Sequence, residues 1–149
     1  MTVTRQNRKS VVQNRVAPCS LRVILTVEEI IEAHNRLIQK TGGLKGIRDR
    51  TLLESAVLNI MSSFDGTELY PTIEEEAARL AYSLVKNHSF LDGNKRIGML
   101  AMLLTLNLNH IKLHYSQKEL IELGLGTADG NLKCDEILSW IKEHEERFV

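Results

Sequence analysis

The sequence predicts an all-α fold, a single bundle of about six helices interrupted by one short flap or hairpin. Apolar residues recur at intervals of three and four along most of the chain, which is the pattern of helices that bury one face. Three of these segments follow a Ser or Thr placed three residues before Glu, at Thr26, Thr72 and Ser116, as in a capping box at a helix N-terminus. With 149 residues, the chain is long enough for one domain with a buried core.

The N-terminal part differs from the rest of the chain. Residues 1–20 lack periodicity and are expected to form a disordered extension, so the domain is expected to span residues 21–149. Five basic residues precede the first acidic residue, Glu28; they are Arg5, Arg8, Lys9, Arg15 and Arg22. The formal net charge of zero nevertheless argues against a protein that binds nucleic acid directly by neutralising its phosphates.

The composition favours a cytoplasmic protein. Cys19 and Cys134 are too few and too far apart in sequence to indicate a disulfide framework, so a reducing compartment is expected. The longest apolar run, residues 97–108, contains a glycine and two polar residues and is shorter than the ~20 residues that span a bilayer. This run predicts a buried helix, and we expect no membrane association.

The first helix is predicted to run from its cap at Thr26 to about Lys40, because Thr41-Gly42-Gly43 then ends it. Asp49 is expected to cap a second helix that continues to about Ile60, because apolar residues again show three-and-four spacing there. Turn-forming residues then dominate residues 61–71. This segment is therefore the predicted flap.

The third and fourth helices are predicted at about 72–87 and 95–109. Residues 95–109 are apolar on nearly all sides of the helix, which is typical of a central helix packed by several neighbours. A loop between these two helices would close one of them and open the other.

The C-terminal part is predicted to contain two more helices after an extended connection at 111–115. The first begins at Ser116 and fades near Gly124, because glycine disfavours a helix interior. The second spans about 135–147 and seals the bundle with its apolar face. No internal repeat or low-complexity segment is present.

The loop between the third and fourth helices holds the densest group of reactive side chains. Residues 88–96 read His-Ser-Phe-Leu-Asp-Gly-Asn-Lys-Arg. A glycine-containing loop that leads into a helix N-terminus exposes N–H groups and a positive dipole end, and both favour an anion. We therefore predict a phosphate site formed by Gly93, Asn94, Lys95 and Arg96, whose amide and two cations add donors.

Two titratable residues accompany this predicted phosphate site. Asp92 is a single carboxylate in a cationic loop and is suited to Mg²⁺, which binds one or two protein carboxylates together with substrate phosphates; the alternative is that Asp92 only caps the helix. Histidine is a common general base in catalysis, so His88 is the candidate to accept a proton from an attacking hydroxyl, although a lone histidine at a helix end more often has no catalytic role. Phe90 is expected to enter the core and fix the loop. No role is assigned to His34 and His144, placed on polar helix faces, or to His110 and His114.

The same loop resembles the signature of the Fic/Doc family, His-x-Phe-x-(Asp/Glu)-(Gly/Ala)-Asn-(Gly/Lys)-Arg. All seven constrained positions match, at His88, Phe90, Asp92, Gly93, Asn94, Lys95 and Arg96. Seven matches in nine residues are far more specific than a lone glycine motif. Residues 42–49 and 53–56 further resemble the segment that precedes the active-site helices in the Doc branch. Together these resemblances cover residues 21–149.

The resemblance implies a Fic-type bundle and a Doc-like toxin of a type II toxin–antitoxin pair. Such a toxin transfers phosphate from ATP to a hydroxyl of a target protein, which in the Doc branch is elongation factor Tu, and thereby blocks translation. The implied partners are this target, docked by the flap, and a cognate antitoxin. The implied roles are His88 as general base, Asp92 as Mg²⁺ ligand, Gly93 and Asn94 as anion nest, Lys95 and Arg96 as phosphate clamps, and Phe90 as structural anchor.

Two other functions stay open. Adenylyl transfer (AMPylation) is the commoner Fic chemistry, but Lys95 stands where adenylyl-transferring members have a second glycine. A non-catalytic module that only holds a nucleotide or a partner is the other alternative, and the joint presence of His88 and Asp92 counts against it. Self-restrained family members carry the pattern Ser/Thr-x-x-x-Glu-Gly/Asn. Here Ser139 and Glu143 are followed by His144, so restraint is expected from a separate antitoxin.

Overall fold

The computed structural model describes residues 22–64 and 66–146. The expected disorder of residues 1–20 and the domain boundary at residue 21 lie outside these residues and stay predictions. The described part contains six helices and one two-stranded antiparallel hairpin, so the all-α prediction is confirmed. In chain order these are α1 (Val27–Thr41), α2 (Arg50–Asn59), β1 (Ser63–Phe64), β2 (Thr67–Glu68), α3 (Ile73–Asn87), α4 (Asn94–Leu108), α5 (Gln117–Ala128) and α6 (Cys134–His144).

The helix starts agree with the capping residues that the sequence indicates. In α1 the hydroxyl of Thr26 accepts from the N–H of Glu29 at 3.1 Å, and the Glu29 carboxylate accepts from the N–H of Thr26 at 3.0 Å. Ser116 and Glu119 form the same reciprocal pair before α5. Before α3 the pair is only half formed. The hydroxyl of Thr72 accepts from the N–H of Glu75 at 3.2 Å, but the Glu75 carboxylate accepts from that hydroxyl, at 2.9 Å, instead of from the N–H of Thr72.

Helices α3 and α4 form the centre of the bundle: α3 packs against α2, α4, α5 and α6, and α4 packs against α1, α3 and α5. Gly98 of α4 permits the close approach of these two helices. A Cβ atom at Gly98 would lie 2.5 Å from Cγ2 of Val85 and 3.1 Å from the carbonyl oxygen of Ala81. The absence of that atom therefore lets the two helices on either side of residues 88–93 pack directly on each other.

The flap is the predicted short hairpin, and Arg22 ties its base to α3. The guanidinium of Arg22 donates to the carbonyl of Tyr70 at 3.0 Å, to Glu68 at 2.5 Å and to Glu76 at 2.7 Å. The side chains of Arg22 and Glu76 are almost fully buried, where removal of one partner of an ion pair is costly. The flap thus has a fixed base.

Helices α5 and α6 differ from the prediction at their ends. Helix α5 continues past Gly124 to Ala128, because Gly124 and Gly126 lie against Met99 and Leu132, and this packing offsets the ~1 kcal/mol cost of a glycine in a helix. Helix α6 begins one residue earlier than expected and ends at His144.

The early end of α6 has a structural cause in the two residues that follow it. The N–H of Glu146 donates to the carbonyl of Lys112 at 2.8 Å, and that of His114 donates to the carbonyl of His144 at 2.8 Å. The chain therefore leaves the helix to pair with the extended connection before α5. Across residues 22–64 and 66–146, no helix combines the length and the apolar character that a membrane crossing needs.

Candidate active site

Two residues with left-handed backbone conformations mark the ends of the loop that joins α3 to α4, which we call the motif loop (residues 88–93). His88 has φ 52° and ψ 50°, and Gly93 has φ 74° and ψ 22°. Glycine adopts this conformation freely. For a residue with a Cβ atom it costs roughly 1–2 kcal/mol, so other contacts must hold His88 in place.

Asn94 closes the motif loop on itself. Its side-chain oxygen accepts from the N–H of Phe90 at 3.0 Å, and its side-chain nitrogen donates to the carbonyl of Phe90 at 3.0 Å. One of the two side-chain N–H groups of Asn94 is therefore used within the loop. Its second side-chain N–H and its main-chain N–H are the donors that it could offer to an anion, so its role in phosphate binding stays a prediction.

Phe90 and His34 attach the motif loop to α1. Phe90 is 1% exposed, and its ring stacks on that of His34 with centroids 3.8 Å apart. His34 is fully buried, and its Nε2 lies 2.7 Å from the carbonyl oxygen of Asp92. The placement of His34 on a polar helix face was wrong. The signal that could have found it is its spacing of four residues from both Ile30 and Ile38, which are buried on the same face.

The carboxylate of Asp92 faces N–H donors and lies near a cation. It accepts from the N–H of Leu44 at 3.0 Å and from that of Gly93 at 2.8 Å, and Nη2 of Arg96 lies 3.7 Å away. These two N–H groups, with a smaller contribution from Arg96, lower the pKa of Asp92 below its usual value. Asp92 is therefore ionised at neutral pH, and its bonds go to Leu44 and Gly93 rather than to the first turn of α4.

The position of Gly93 is explained by packing as well as by its backbone. A Cβ atom there would lie 3.1 Å from Ile38, 3.3 Å from Arg96 and 3.5 Å from His34. The missing side chain thus makes room for the α1 side chains and for Arg96. As the N-cap of α4, Gly93 supplies no side-chain cap, and this leaves first-turn N–H groups available to an anion.

The two cations of the motif differ in their surroundings. Lys95 is exposed on the first turn of α4. Arg96 is partly committed, because its Nη1 donates to the carbonyl of Gly42 at 2.9 Å and to the hydroxyl of Thr41. Arg96 thus joins the end of α1 to the start of α4, and Lys95 is the freer of the two to contact a ligand.

A second segment, residues 43–49, packs along the motif loop, and we call it the brace. Its Gly46 carbonyl accepts from the N–H of Leu91 at 3.1 Å. The N–H groups of Arg48 and Asp49 both donate to the carbonyl of Ser89, at 2.7 and 3.0 Å. In the sequence, this segment resembles part of the Doc branch and provides the cap at Asp49, but no pattern there indicates contact with the motif loop. The loop that carries the reactive residues is therefore supported by residues far upstream.

The site consequently joins an exposed His88 at the end of α3 to the N-terminus of α4, with ionised Asp92 between them. A family model described as Fic/DOC family matches residues 24–106, which is more than half of the chain. The chain belongs to the Fic/DOC family.

Two relatives refine this assignment within the Fic/DOC family. The chain is 38% identical over 72 residues, 48% of this chain and 55% of the relative, to Toxin Doc of Mycolicibacterium smegmatis (strain ATCC 700084 / mc(2)155). It is 26% identical over 118 residues, 79% of this chain and 92% of the relative, to Protein kinase doc of Escherichia phage P1. The chain thus spans about half the length of the mycobacterial relative, and the expected resemblance to the Doc branch is confirmed.

An open, mostly apolar groove of about 640 Å³ adjoins the motif loop of this Fic/DOC chain. It lies between α1, α4 and α5, with Lys95 and Arg96 at the end nearest the loop. Ile121 and Leu125 on α5 are 53% and 49% exposed, an unusual exposure for two neighbouring large apolar side chains. The other lining residues are Leu37, Thr41, Met99, Leu100, Leu103, Tyr115, Gln117, Leu120 and Gly124.

Within the described residues, no three His, Cys, Asp or Glu side chains form a group that could hold a metal ion alone. Of the histidines outside the site, His114 pairs with Glu146 at 3.0 Å. His144 is not on a polar face as expected, because it stacks on Trp140 and is largely covered. Neither histidine contacts the motif loop in any described interaction.

Proposed function

We propose that this protein is a Doc-like toxin that transfers the γ-phosphate of ATP to a hydroxyl group of a target protein. One observation carries the proposal. A histidine exposed at the end of α3 stands directly before the uncapped, cationic N-terminus of α4. Phosphoryl transfer depends mainly on positioning and on charge stabilisation. The histidine can accept the proton of an attacking hydroxyl, and the helix N-terminus can stabilise the charge of the phosphates.

His88 is the proposed general base. As the hydroxyl oxygen of the target forms a bond to the γ-phosphorus, its proton passes to the imidazole, and the bond to the bridging oxygen breaks to release ADP. The first-turn N–H groups of α4 and the side chain of Lys95 bind the phosphates. Arg96 adds positive charge at the same place while it holds α1.

Asp92 is the residue that would hold Mg²⁺ in the proposed complex. Its carboxylate is ionised because two N–H groups lower its pKa, and its side chain is 43% exposed. A single such carboxylate fits Mg²⁺, which takes its remaining ligands from water and from nucleotide phosphates. The ion would neutralise charge on those phosphates.

Lys95 supports phosphate transfer over adenylyl transfer. In the adenylyl-transferring members that the motif resembles, a glycine at this position leaves room for the β- and γ-phosphates against α4, so the α-phosphorus faces the hydroxyl. A lysine side chain occupies that space and brings its charge there. ATP bound in the reversed direction would instead present its γ-phosphorus to His88.

The proposed target is elongation factor Tu, and the proposed outcome is a block of translation in the cytoplasm. The flap is the element that would dock the target's backbone, as the family resemblance implies. Its base is fixed by Arg22, so a docked segment would meet a defined surface beside His88.

Intact-mass measurement of elongation factor Tu after incubation with the protein, ATP and Mg²⁺ tests the activity. We expect one added phosphate, and we expect His88→Ala to lower the rate by about 10²–10⁴-fold with an unchanged melting curve. Lys95→Gly should slow phosphate transfer and permit some adenylyl transfer. An added AMP from the wild type would overturn the kinase assignment. Full transfer by His88→Ala would exclude His88 as the general base, and no transfer by the wild type would favour the binding-module alternative.

The partner proposed for the groove between α1, α4 and α5 is a helix of the cognate antitoxin. Three helices already form its walls, and Met99, Leu100 and Leu103 of α4 lie along it, so an amphipathic helix could bury its apolar face there. Lys95 and Arg96 at one end favour an acidic residue on that helix. Such a helix would also cover the phosphate site.

Co-expression with a candidate cognate antitoxin tests this partner. Leu125→Asp should prevent rescue from growth arrest, because a charge would enter the apolar groove. Leu58→Asp is the matched control, since Leu58 is 63% exposed on α2, outside the groove. Equal rescue of both variants would exclude the groove as the antitoxin site.

A further inference from the structure

Helix α3 ends in a way that differs from α1. At the end of α1, the N–H of Gly42 donates back to the carbonyl of Ile38 at 2.8 Å, so the helix supplies its own final bond. At the end of α3, the carbonyls of Asn87 and His88 accept from the side chain of Arg48, at 3.0 Å from Nη2 and 2.6 Å from Nε. The last carbonyls of a helix need such donors, and here the brace provides them.

Arg48 therefore contacts three consecutive carbonyls of the motif region. Its guanidinium binds Asn87 and His88, and its own N–H donates to Ser89 at 2.7 Å. A planar guanidinium can donate to two neighbouring oxygens at once, which a lysine ammonium does less well. A cation beside a helix C-terminus is also favoured by the helix dipole.

These contacts surround the residue whose backbone is strained. His88 has a Cβ atom and adopts φ 52°, a conformation that lies above the right-handed one in free energy by roughly 1–2 kcal/mol. Fixing the carbonyls before, at and after this position leaves little freedom for its φ and ψ. Those angles set the direction of the Cα–Cβ bond of His88, from which its imidazole extends.

We infer that Arg48 is a positioning residue that keeps His88 in its left-handed conformation and so directs its imidazole. The catalytic part of this inference rests on the proposed transferase function. Arg48 acts on the proton acceptor and does not touch the first turn of α4. Its loss should therefore lower kcat and leave the KM for ATP nearly unchanged.

The test compares Arg48→Gln and Arg48→Lys with the control Arg50→Gln. Arg50 is two residues away and half exposed, and it pairs with Glu28 and Glu54 without contacting the motif loop in those interactions. One readout needs no activity: the three-bond coupling between the amide and α protons of His88, which reports φ. The others are kcat and KM for ATP, and a melting curve shows that each variant is folded.

We expect both Arg48 variants to shift the His88 coupling towards that of a residue that averages over right-handed conformations. We also expect them to lower kcat by about 10–100-fold, because misplacement of a catalytic group has an effect of this size. Arg50→Gln should match the wild type in both. An unchanged coupling in Arg48→Gln, or wild-type kcat in Arg48→Lys, would overturn the inference. A shifted coupling in a protein whose wild type transfers no phosphate would instead overturn the proposed function and leave the positioning role standing.

Discussion

Two stacked pairs of a histidine and an aromatic residue lie in different regions of the molecule and have different partners. In the motif-loop pair, His34 stacks on Phe90 at 3.8 Å and its Nε2 bonds to the carbonyl of Asp92 at 2.7 Å. In the terminal pair, His144 stacks on Trp140 at 4.1 Å and its Nδ1 bonds to the carbonyl of Trp140 at 2.7 Å. The first pair joins distant segments, and the second lies within α6.

The second ring nitrogen makes the main difference between the pairs. In His34 this nitrogen, Nδ1, is buried and has no hydrogen-bond partner in the part of the chain that the structure describes, so a neutral ring with its proton on Nε2 satisfies the one bond made. In His144 it lies 2.9 Å from the Glu119 carboxylate on α5. Both bonds of His144 go to oxygen acceptors, so both are complete only when the imidazole is protonated.

A stacked pair of a histidine and an aromatic residue therefore serves a different purpose in each region. Buried between α1 and the motif loop, it is a fixed part of the scaffold beneath the site. Partly exposed between α5 and α6, it is a link whose strength depends on pH. Two matched pairs of variants and one variant followed over a pH range test this distinction.

The largest expected effect is on stability. Phe90→Ala should lower the free energy of unfolding by about 3–5 kcal/mol, the range for removal of a buried aromatic ring. Trp140→Ala should cost clearly less because Trp140 is only partly buried. Denaturant titration of both variants measures this, and equal losses would contradict the contrast between the two regions.

A smaller loss of unfolding free energy is expected when phenylalanine replaces a histidine, because the aromatic ring is kept and only the N–H donor is removed. His34→Phe leaves the carbonyl of Asp92 without this donor and should cost about 1–3 kcal/mol. Hydrogen exchange at the amides of Gly93 and Asn94 should become faster in the same variant. His144→Phe is the control, and it should leave exchange in the motif loop unchanged.

The smallest effect should appear only within a pH window. The hydrogen bond from His144, with those from Ser116, lowers the pKa of Glu119 from 4.5 to about 2. Burial opposes the charge on His144, but bonds to Glu119 and to the Trp140 carbonyl, with the nearby Glu143, outweigh it and raise the pKa of His144 above 6.5.

The sign of the pH effect follows from these two shifts. The lowered pKa of Glu119 means that its contribution is present above pH 4.5 and is lost as the pH falls towards 2. The raised pKa of His144 means that its contribution is present below pH 6.5 and is lost as the pH rises through its pKa in the folded state. Glu119→Gln should therefore lower the Tm most between pH 4.5 and 6.5. A difference from wild type that stays constant up to pH 9 would contradict this link.

Most of the fold could be predicted because it depends on local signals. Capping residues such as Thr26 and Asp49 and the apolar periodicity gave the helices and their order, and the turn-rich segment gave the flap. The extent of α5 was not predictable from local preference, since Gly124 and Gly126 are kept helical by Met99 and Leu132, which lie elsewhere in the chain.

The candidate site could be located from the sequence, but its support could not. The motif predicts which residues cluster, because they lie within nine positions of each other. Arg48 and His34 reach that loop through contacts that only the folded arrangement of α1 and the brace creates. Asn94 illustrates the same limit. The sequence shows that it has a side-chain amide, but not that this amide hydrogen-bonds to the main chain of Phe90.

The position of the brace bears on how the motif loop could be moved into another protein. A graft of α3, the motif loop and α4 would contain every residue of the family motif but would lack the donors that bind Asn87, His88 and Ser89. It would also lack the ring on which Phe90 stacks. The smallest portable unit therefore begins at α1, and a designer who shortens or reorders the chain must keep the brace in place relative to the loop it supports.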